Sequence, residues 1–122
     1  MKVLMVDDDA DSLDMLTRLF RSYDICALDN GKDAVEEYAR EYQDGNIYNA
    51  VFMDMKMPGM SGWEAAKKIR EIDLKLETTI AAITGMETSE LTAEEMRPFD
   101  AILMKPLPAS LLLAICKHAG NK

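Results

Sequence analysis

The chain has 122 residues, the length of one ordinary domain, so we expect a single domain over residues 1–122 with room for a real core. Its 22 acidic and 14 basic residues leave a formal net charge of −8, which disfavours binding to nucleic acid phosphates or to an anionic membrane. The apolar run at the amino terminus is four residues long and ends on three acids, which fits neither a signal peptide nor a membrane span. We therefore expect a cytoplasmic protein that does not bind DNA by itself.

The first third of the chain predicts two strands and two helices. Lys2–Val6 predicts a buried strand, because its last four residues, VLMV, are all apolar, and three consecutive aspartates, Asp7–Asp9, follow it. Ser12–Tyr23 repeats its apolar residues at the spacing of an amphipathic helix with one buried stripe. Ile25–Leu28 predicts a second short strand, and an Asp-Asn-Gly turn then leads into a helix whose buried face is predicted between residues 34 and 42.

The middle of the chain predicts a strand that ends on a single acid. Ala50–Met53 is apolar throughout and is followed by Asp54, a proline-glycine loop and a helix over Gly62–Ile72. Ser61, followed three residues later by Glu64, is typical of a capping box that opens a helix. In open parallel sheets, ligand sites form beyond the carboxyl ends of the strands, so a rigid element holds Asp54 where chemistry can reach it.

Two further strands are predicted in the last third of the chain, and each ends on a polar side chain. Thr79–Ile83 is followed by Thr84, and Ala101–Met104 is followed by Lys105 and a proline. Both runs are short and apolar, as expected for strands that are covered on both faces.

Two helices accompany these strands. Thr92–Arg97 offers a second capping box and predicts a short helix. Pro108–His118 predicts the last helix, with Gly120 as its stop and Leu113 on its outward face. The residues predicted to face inward from this helix are Leu111, Leu112, Ile115 and Cys116.

Strands that alternate with helices predict an α/β fold, because right-handed crossovers leave few other arrangements. The common solution at this size is a flavodoxin-like doubly wound parallel sheet of five strands, in the order 2-1-3-4-5, with five helices. In that order the first and third strands are neighbours, so Asp7, Asp8 and Asp54 should converge at one end of the sheet. Thr84 and Lys105 should face the same edge.

Crowded carboxylates predict a metal site. Each close pair repels by roughly a few kcal/mol even at an effective dielectric constant near 20, so a divalent cation is the natural neutraliser and the carboxyl pKa values should be raised. A donor set made only of oxygen indicates Mg²⁺ or Mn²⁺, because zinc would prefer histidine or cysteine. Each acid taken alone has an ordinary explanation as a helix cap or a loop residue.

A hydroxyl at Thr84 and an ammonium at Lys105, opposite the acids, predict a pocket for an anion with several oxygens. A phosphoryl group is the obvious candidate. Taken singly, the lysine is more often a solvated loop residue and the threonine a hydroxyl bonded to backbone. These ordinary explanations fit poorly when the acids, the hydroxyl and the ammonium are considered together. Four strand ends would then have to carry residues suited to binding phosphate by chance.

The chain resembles the receiver domain of two-component response regulators over essentially its whole length. The segments that carry the resemblance stand at four strand ends, in order: VDDD, MDMKMPGMSG, ITG and MKPL. The resemblance implies that Asp54 is the phosphoacceptor. It also implies that Mg²⁺ is bound directly by Asp8, Asp54 and the backbone carbonyl of Lys56, while Asp7 assists through water.

By the same resemblance, Thr84 and Lys105 contact the phosphoryl oxygens and the Lys105-Pro106 peptide bond is cis. The implied function is acceptance of a phosphoryl group from a histidine kinase or phosphotransfer protein, with self-catalysed phosphorylation and dephosphorylation only. The chain departs from the family at Ile102, three residues before the lysine, where the family usually has a Tyr or Phe ring that changes rotamer on activation. A different route of signalling is therefore expected.

Two other functional classes stay open at this point. A metal-dependent phosphohydrolase would use Asp54 as a nucleophile in turnover, but the second acid of the DxD motif in haloacid-dehalogenase-type enzymes is Lys56 here. An unphosphorylated interaction module is disfavoured by the intact set of acids, hydroxyl and lysine. For output, Ile102 and Leu113 predict part of an apolar partner or dimer surface on the last strand and its flanking helices, and a monomer or weak dimer is expected.

Overall fold

The computed structural model describes residues 1–85, 90–106 and 109–120, and within them five strands alternate with five helices. The strands are β1 (Lys2–Val6), β2 (Asp24–Leu28), β3 (Ala50–Asp54), β4 (Thr79–Thr84) and β5 (Ala101–Met104). The helices are α1 (Ala10–Leu19), α2 (Gly31–Gln43), α3 (Gly62–Ile72), α4 (Ala93–Met96) and α5 (Ala109–Gly120). All strands are parallel in the order β2-β1-β3-β4-β5, so the predicted flavodoxin-like topology is confirmed. No helix within these ranges is long and apolar enough to cross a membrane.

Helices cover the sheet on both faces and divide the core into three clusters. On one face α1 and α5 pack over a cluster that includes Phe52 and Leu112. On the other, α2 and α3 pack over Met53 and Ile69. Successive side chains of β3 point to opposite faces, which explains why Phe52 and Met53 belong to different clusters. A smaller cluster around Met55 lies under α4, on the same face as α3.

Side-chain caps define where the helices begin. Asp9 and Asn30 accept hydrogen bonds from backbone N–H groups in the first turns of α1 and α2. Ser61 opens α3 and Thr92 opens α4, each with the reciprocal Glu contact of a capping box. Both predicted capping boxes are confirmed.

The predicted bounds of the first helix were wrong at both ends. The helix spans Ala10–Leu19 rather than Ser12–Tyr23. It begins earlier because the carboxylate of Asp9 caps it. It ends earlier because the chain must turn after Phe20 to enter β2, which already begins at Asp24.

The last helix spans Ala109–Gly120, so it continues past the predicted end at His118, and Gly120 is its last described residue. The predicted start at Pro108 lies outside the described residues. The inward side chains are Leu112, Cys116 and Ala119, with Ile115 half-buried beside them. Leu111 is 40% exposed, so its predicted inward placement was wrong. One position along a helix rotates a side chain by about 100°, which moves Leu111 off the buried stripe. Leu113 is exposed, as predicted.

Candidate functional site

Three carboxylates meet at the carboxyl ends of the two central strands. Asp7 and Asp8 follow β1, and Asp54 is the last residue of β3, which pairs directly with β1. One carboxylate oxygen of each acid lies within 4.8 Å of the corresponding oxygens of the other two. Asp7 and Asp54 are almost fully buried, whereas Asp8 is exposed. The topology thus brings together the acids that the sequence analysis singled out.

Lys105 and Thr84 lie at the same edge of the sheet. The Lys105 ammonium is 3.5 Å from Oδ2 of Asp7 and 3.7 Å from Oδ1 of Asp54. Its backbone N–H donates to the carbonyl of Thr84 at 2.8 Å, which holds the ends of β4 and β5 together. Thr84 is buried at the end of β4. The Lys105-Pro106 peptide bond is cis, as the resemblance implied.

Backbone amides hold Asp7 in place. Its own N–H donates to the carbonyl of Leu28 at 3.1 Å, and its Oδ1 accepts from the N–H of Asp9 at 2.9 Å. Within the part of the chain that the structure describes, no hydrogen-bond donor reaches Asp7 Oδ2, which faces the Lys105 ammonium. The ammonium at 3.5 Å offsets part of its charge, but the oxygen still accepts no hydrogen bond from the described residues, so it has free capacity to help hold a metal ion.

Electrostatics at the site favour a divalent cation. Burial, together with the neighbouring carboxylate of Asp7, raises the pKa of Asp54 to about 7, and Lys105 offsets only part of this effect. The raised pKa agrees with the crowding expected from the sequence. The donors are all oxygen, they carry net negative charge, and one buried oxygen lacks a hydrogen bond. These residues fit Mg²⁺, which prefers carboxylate, carbonyl and water oxygens.

The loop that carries Lys56 is closed at both ends by backbone contacts. The N–H of Met55 donates to the carbonyl of Ile83, and the carbonyl of Met55 accepts from the N–H of Gly62, both at 3.0 Å. A Cβ atom at Gly62 would lie 2.1 Å from the carbonyl oxygen of Asp54, so the two backbones are in direct contact. This contact was not predicted from the sequence, where its only signal is a small residue at the first position of α3.

A cavity of about 420 Å³ adjoins the acids on the side of α1. Its lining includes Ser12, Met15, Lys105 and Pro106. Met15 is 55% exposed, so an apolar side chain stands at the entrance to a strongly polar site. Neither Ser12 nor Met15 was among the predicted site residues. Met15 lies off the apolar stripe from which the buried face of α1 was predicted.

Ile102, which occupies the usual place of an aromatic ring, is half-buried in the cluster under α4. Phe99 packs against the same cluster from the segment before β5. Leu113 lies on α5, which covers the opposite face of the sheet. Ile102 and α5, which carries Leu113, therefore lie on opposite faces of the sheet.

Known proteins share this sequence pattern. A family model described as the response regulator receiver domain matches residues 3–117. Two-component response regulator 24 of Arabidopsis thaliana is 35% identical over 105 residues, which cover 83% of this chain and 68% of that protein. Hybrid signal transduction histidine kinase L of Dictyostelium discoideum is 28% identical over 125 residues, which cover 98% of this chain but 7% of the kinase. The chain spans less than a tenth of three such histidine kinases.

A solved structure shares the architecture. The complex described as CheX-CheY-BeF₃-Mg²⁺ from Borrelia burgdorferi matches this chain with a TM-score of 0.82 and 27% sequence identity. The match covers 100% of this chain and 90% of that one. The similarity therefore extends over every strand end that contributes to the acidic site.

Proposed function

This chain belongs to the response regulator receiver domain family and acts in two-component phosphorelay signalling, and on that premise we propose that Asp54 is its phosphoacceptor. The observation that carries the proposal is the position of this carboxylate. It is nearly buried at the end of a central strand, with Asp7 on one side and the Lys105 ammonium on the other. Phosphoryl transfer to a side chain needs a nucleophile, a cation that stabilises the phosphoryl charge, and further carboxylates that bind a metal ion.

The phosphodonor is a phosphohistidine of a histidine kinase or phosphotransfer protein. In the transfer, a carboxylate oxygen of Asp54 forms a bond to phosphorus while the bond from phosphorus to the donor imidazole nitrogen breaks. The nitrogen keeps the bonding electron pair and takes up a proton. Asp54 must be ionised to act as the nucleophile. The positive charge of Lys105 favours the ionised form, because it lowers the pKa of Asp54 against the opposing effects of burial and Asp7.

Asp8, Asp54 and the backbone carbonyl of Lys56 would hold Mg²⁺ directly, with Asp7 acting through water, and Mn²⁺ would serve in its place. When bound, the metal supplies positive charge between the carboxylates and the phosphoryl oxygens. The almost complete burial of Asp7 and its oxygen without a hydrogen bond support this assignment.

Lys105 and Thr84 are proposed to receive the phosphoryl oxygens. The Lys105 ammonium already lies beside Asp54. During transfer it would move from the carboxylates to the phosphoryl oxygens, where negative charge develops. Thr84, at the end of β4, presents a hydroxyl that donates to one oxygen. The same groups serve phosphorylation and hydrolysis of the acyl phosphate, so the site catalyses only its own modification.

The remaining assignments concern the setting of the domain. We propose a single receiver domain over residues 1–122 that works in the cytoplasm as a monomer or weak dimer and binds neither nucleic acid nor membrane directly. Its output partner binds the last strand and flanking helices, where Met104, Leu111 and Leu113 are each about 40% exposed. The relatives whose names include hybrid kinases and response regulators support a kinase or phosphotransfer protein as the donor.

Intact mass spectrometry tests the assignment of Asp54. After incubation with Mg²⁺ and acetyl phosphate, the wild type should gain one phosphoryl group, while Asp54→Asn and chelator-treated wild type should not. Robust modification in either control contradicts the proposal. Steady hydrolysis of many phosphate esters would instead indicate a phosphohydrolase, and no modification with any donor would indicate an interaction module.

A further inference from the structure

Helix α3 begins in direct contact with the proposed phosphoacceptor. Gly62, its first residue, lies against the Asp54 carbonyl so closely that a side chain has no room. The N–H of Gly62 also donates to the carbonyl of Met55. Because no gap separates these backbones, a displacement of the chain at Asp54 or Met55 displaces the first turn of α3 as well.

The next residue connects this turn to α4. The indole N–H of Trp63 donates to the carbonyl of Glu94 at 3.1 Å, across 31 residues of sequence. Trp63 is the only tryptophan in the chain. At the other end of α3, Arg70 donates to the carbonyl of Pro98 at 2.8 Å, so α3 is hydrogen-bonded to α4 itself and to the segment that follows it.

Helix α4 is weakly held by its own residues. It spans four residues, and none of them is buried. The small cluster below it joins Leu91 to Met55, which directly follows Asp54 in the chain, with Trp63 and Ile102 packed against them. A segment with so few buried contacts shifts at a low energetic cost. Its position is therefore sensitive to its bonds with α3.

We propose that Trp63 couples occupancy of the acidic site to the position of α4. The proposal rests on the proposed function and adds to it a route of regulation that needs no aromatic ring at Ile102. A phosphoryl group at Asp54 displaces the backbone against Gly62, and the first turn of α3 carries the indole with it. The bond to Glu94 then weakens or re-forms in a new place, and α4 shifts. By linkage, the state of α4 also alters the affinity of the site.

The wild type provides the first test. Because the chain has one tryptophan, a ¹H–¹⁵N spectrum contains one indole N–H signal, and that signal reports the bond to the Glu94 carbonyl directly. Titration with Mg²⁺ and BeF₃⁻, a phosphoryl analogue, should shift it and should change amide exchange in peptides from residues 90–100 by about fivefold or more. An indole signal that does not move at saturation overturns the proposal.

Two variants of α3 separate the hydrogen bond from other contacts of the ring. Trp63→Phe keeps an aromatic ring but removes the donor, and it should retain the stabilisation by Mg²⁺ and BeF₃⁻ while losing most of the exchange response at residues 90–100. Lys67→Met is the matched control, because its ammonium lies 5.2 Å from the centre of the indole ring and leaves the bond to Glu94 in place. It should respond like the wild type. A full response in Trp63→Phe contradicts the coupling, and if this variant does not fold, the wild-type indole signal decides.

A third protein distinguishes this proposal from the function on which it rests. Asp54→Asn should show neither the indole shift nor the exchange response. If the wild type is phosphorylated on Asp54 and stabilised by Mg²⁺ and BeF₃⁻ while its indole signal stays fixed, only the coupling is wrong. If the wild type is neither phosphorylated nor stabilised, the assignment of the site fails and the coupling fails with it.

Discussion

The ammonium of Lys105 lies 3.7 Å from Oδ1 of Asp54, although 51 positions separate the two residues in the sequence. The same ammonium lies 3.5 Å from Oδ2 of Asp7, so one cation at the end of β5 faces carboxylates from the ends of β1 and β3. Under the proposed function, this is a cation that contacts the incoming phosphoryl group. The proposed role of Lys105 is electrostatic, because its ammonium lies against two carboxylates while its side chain remains 36% exposed.

Replacement of Lys105 should impair chemistry more than folding. A hydrogen bond to a charged group is worth about 1.5–3 kcal/mol, so Lys105→Ala should lower the rate of phosphorylation by acetyl phosphate about tenfold or more. Its melting temperature should stay within a few degrees of the wild type. Lys56→Ala is the matched control, since that lysine is exposed and only its backbone carbonyl is assigned to the site. Equal rates in Lys105→Ala and the wild type would remove Lys105 from the site.

The stability of the metal-free protein should fall as the pH rises through neutrality. The pKa of Asp54 is about 7 in the folded protein, against an ordinary value of 3.8, so the folded state binds a proton that the unfolded state has released. The resulting stabilisation is complete below about pH 4 and is lost as the pH passes about 7.

Asp54→Asn isolates this effect from all other titrating groups. In chelator, the variant should be more stable than the wild type at pH 8 by up to a few kcal/mol, since one pKa unit corresponds to about 1.4 kcal/mol, and the difference should shrink at pH 5. Urea unfolding at the two pH values measures it. A difference that does not depend on pH would show that Asp54 titrates normally.

Magnesium should stabilise the wild type by mass action, and Asp8→Asn should lose most of that stabilisation. In chelator, the same variant should melt at a slightly higher temperature than the wild type, because one carboxylate of the crowded group is gone. Asp9→Asn is the control, since Asp9 caps α1 and asparagine is an equally good cap. Thermal melts with and without Mg²⁺ provide the comparison. Equal shifts in Asp8→Asn and the wild type would show that Asp8 is not a ligand.

Two glycines near the site should respond very differently to alanine. At Gly62 the new methyl group would lie 2.1 Å from the Asp54 carbonyl oxygen, so the β3–α3 connection must move and Mg²⁺ affinity should fall together with stability. At Gly59, φ is +75°, and among the described residues no atom beyond the two chain neighbours lies within 4 Å of the added carbon. Gly59→Ala should cost about 1–2 kcal/mol through backbone strain alone and should leave Mg²⁺ affinity unchanged. Calorimetric titration of both variants with Mg²⁺ checks this, and equal affinities would show that the close contact does not shape the site.

The sequence by itself determined the sheet and the composition of the site. Apolar runs of four or five residues are too short for typical helices and, when turn residues flank them, favour buried strands. Parallel strands that alternate with helices then allow few topologies. Once the order was known, the acids at the ends of β1 and β3 had to meet, because carboxyl ends of parallel strands share one edge. The sequence was less informative about which of two adjacent apolar residues in a helix is buried. Leu111 was predicted to face inward, but it is exposed, and its neighbour Leu112 lies in the core.

Only the tertiary structure decided the contacts between segments that are distant in sequence. The raised pKa of Asp54 depends on how deeply the end of β3 is buried and on its distance from Asp7, and neither quantity has a local sequence signal. The same holds for the contact between Gly62 and the Asp54 carbonyl and for the bond from Trp63 to Glu94. Such distances are set to a fraction of an ångström by the simultaneous packing of all layers, whereas sequence periodicity specifies only which face of an element is buried.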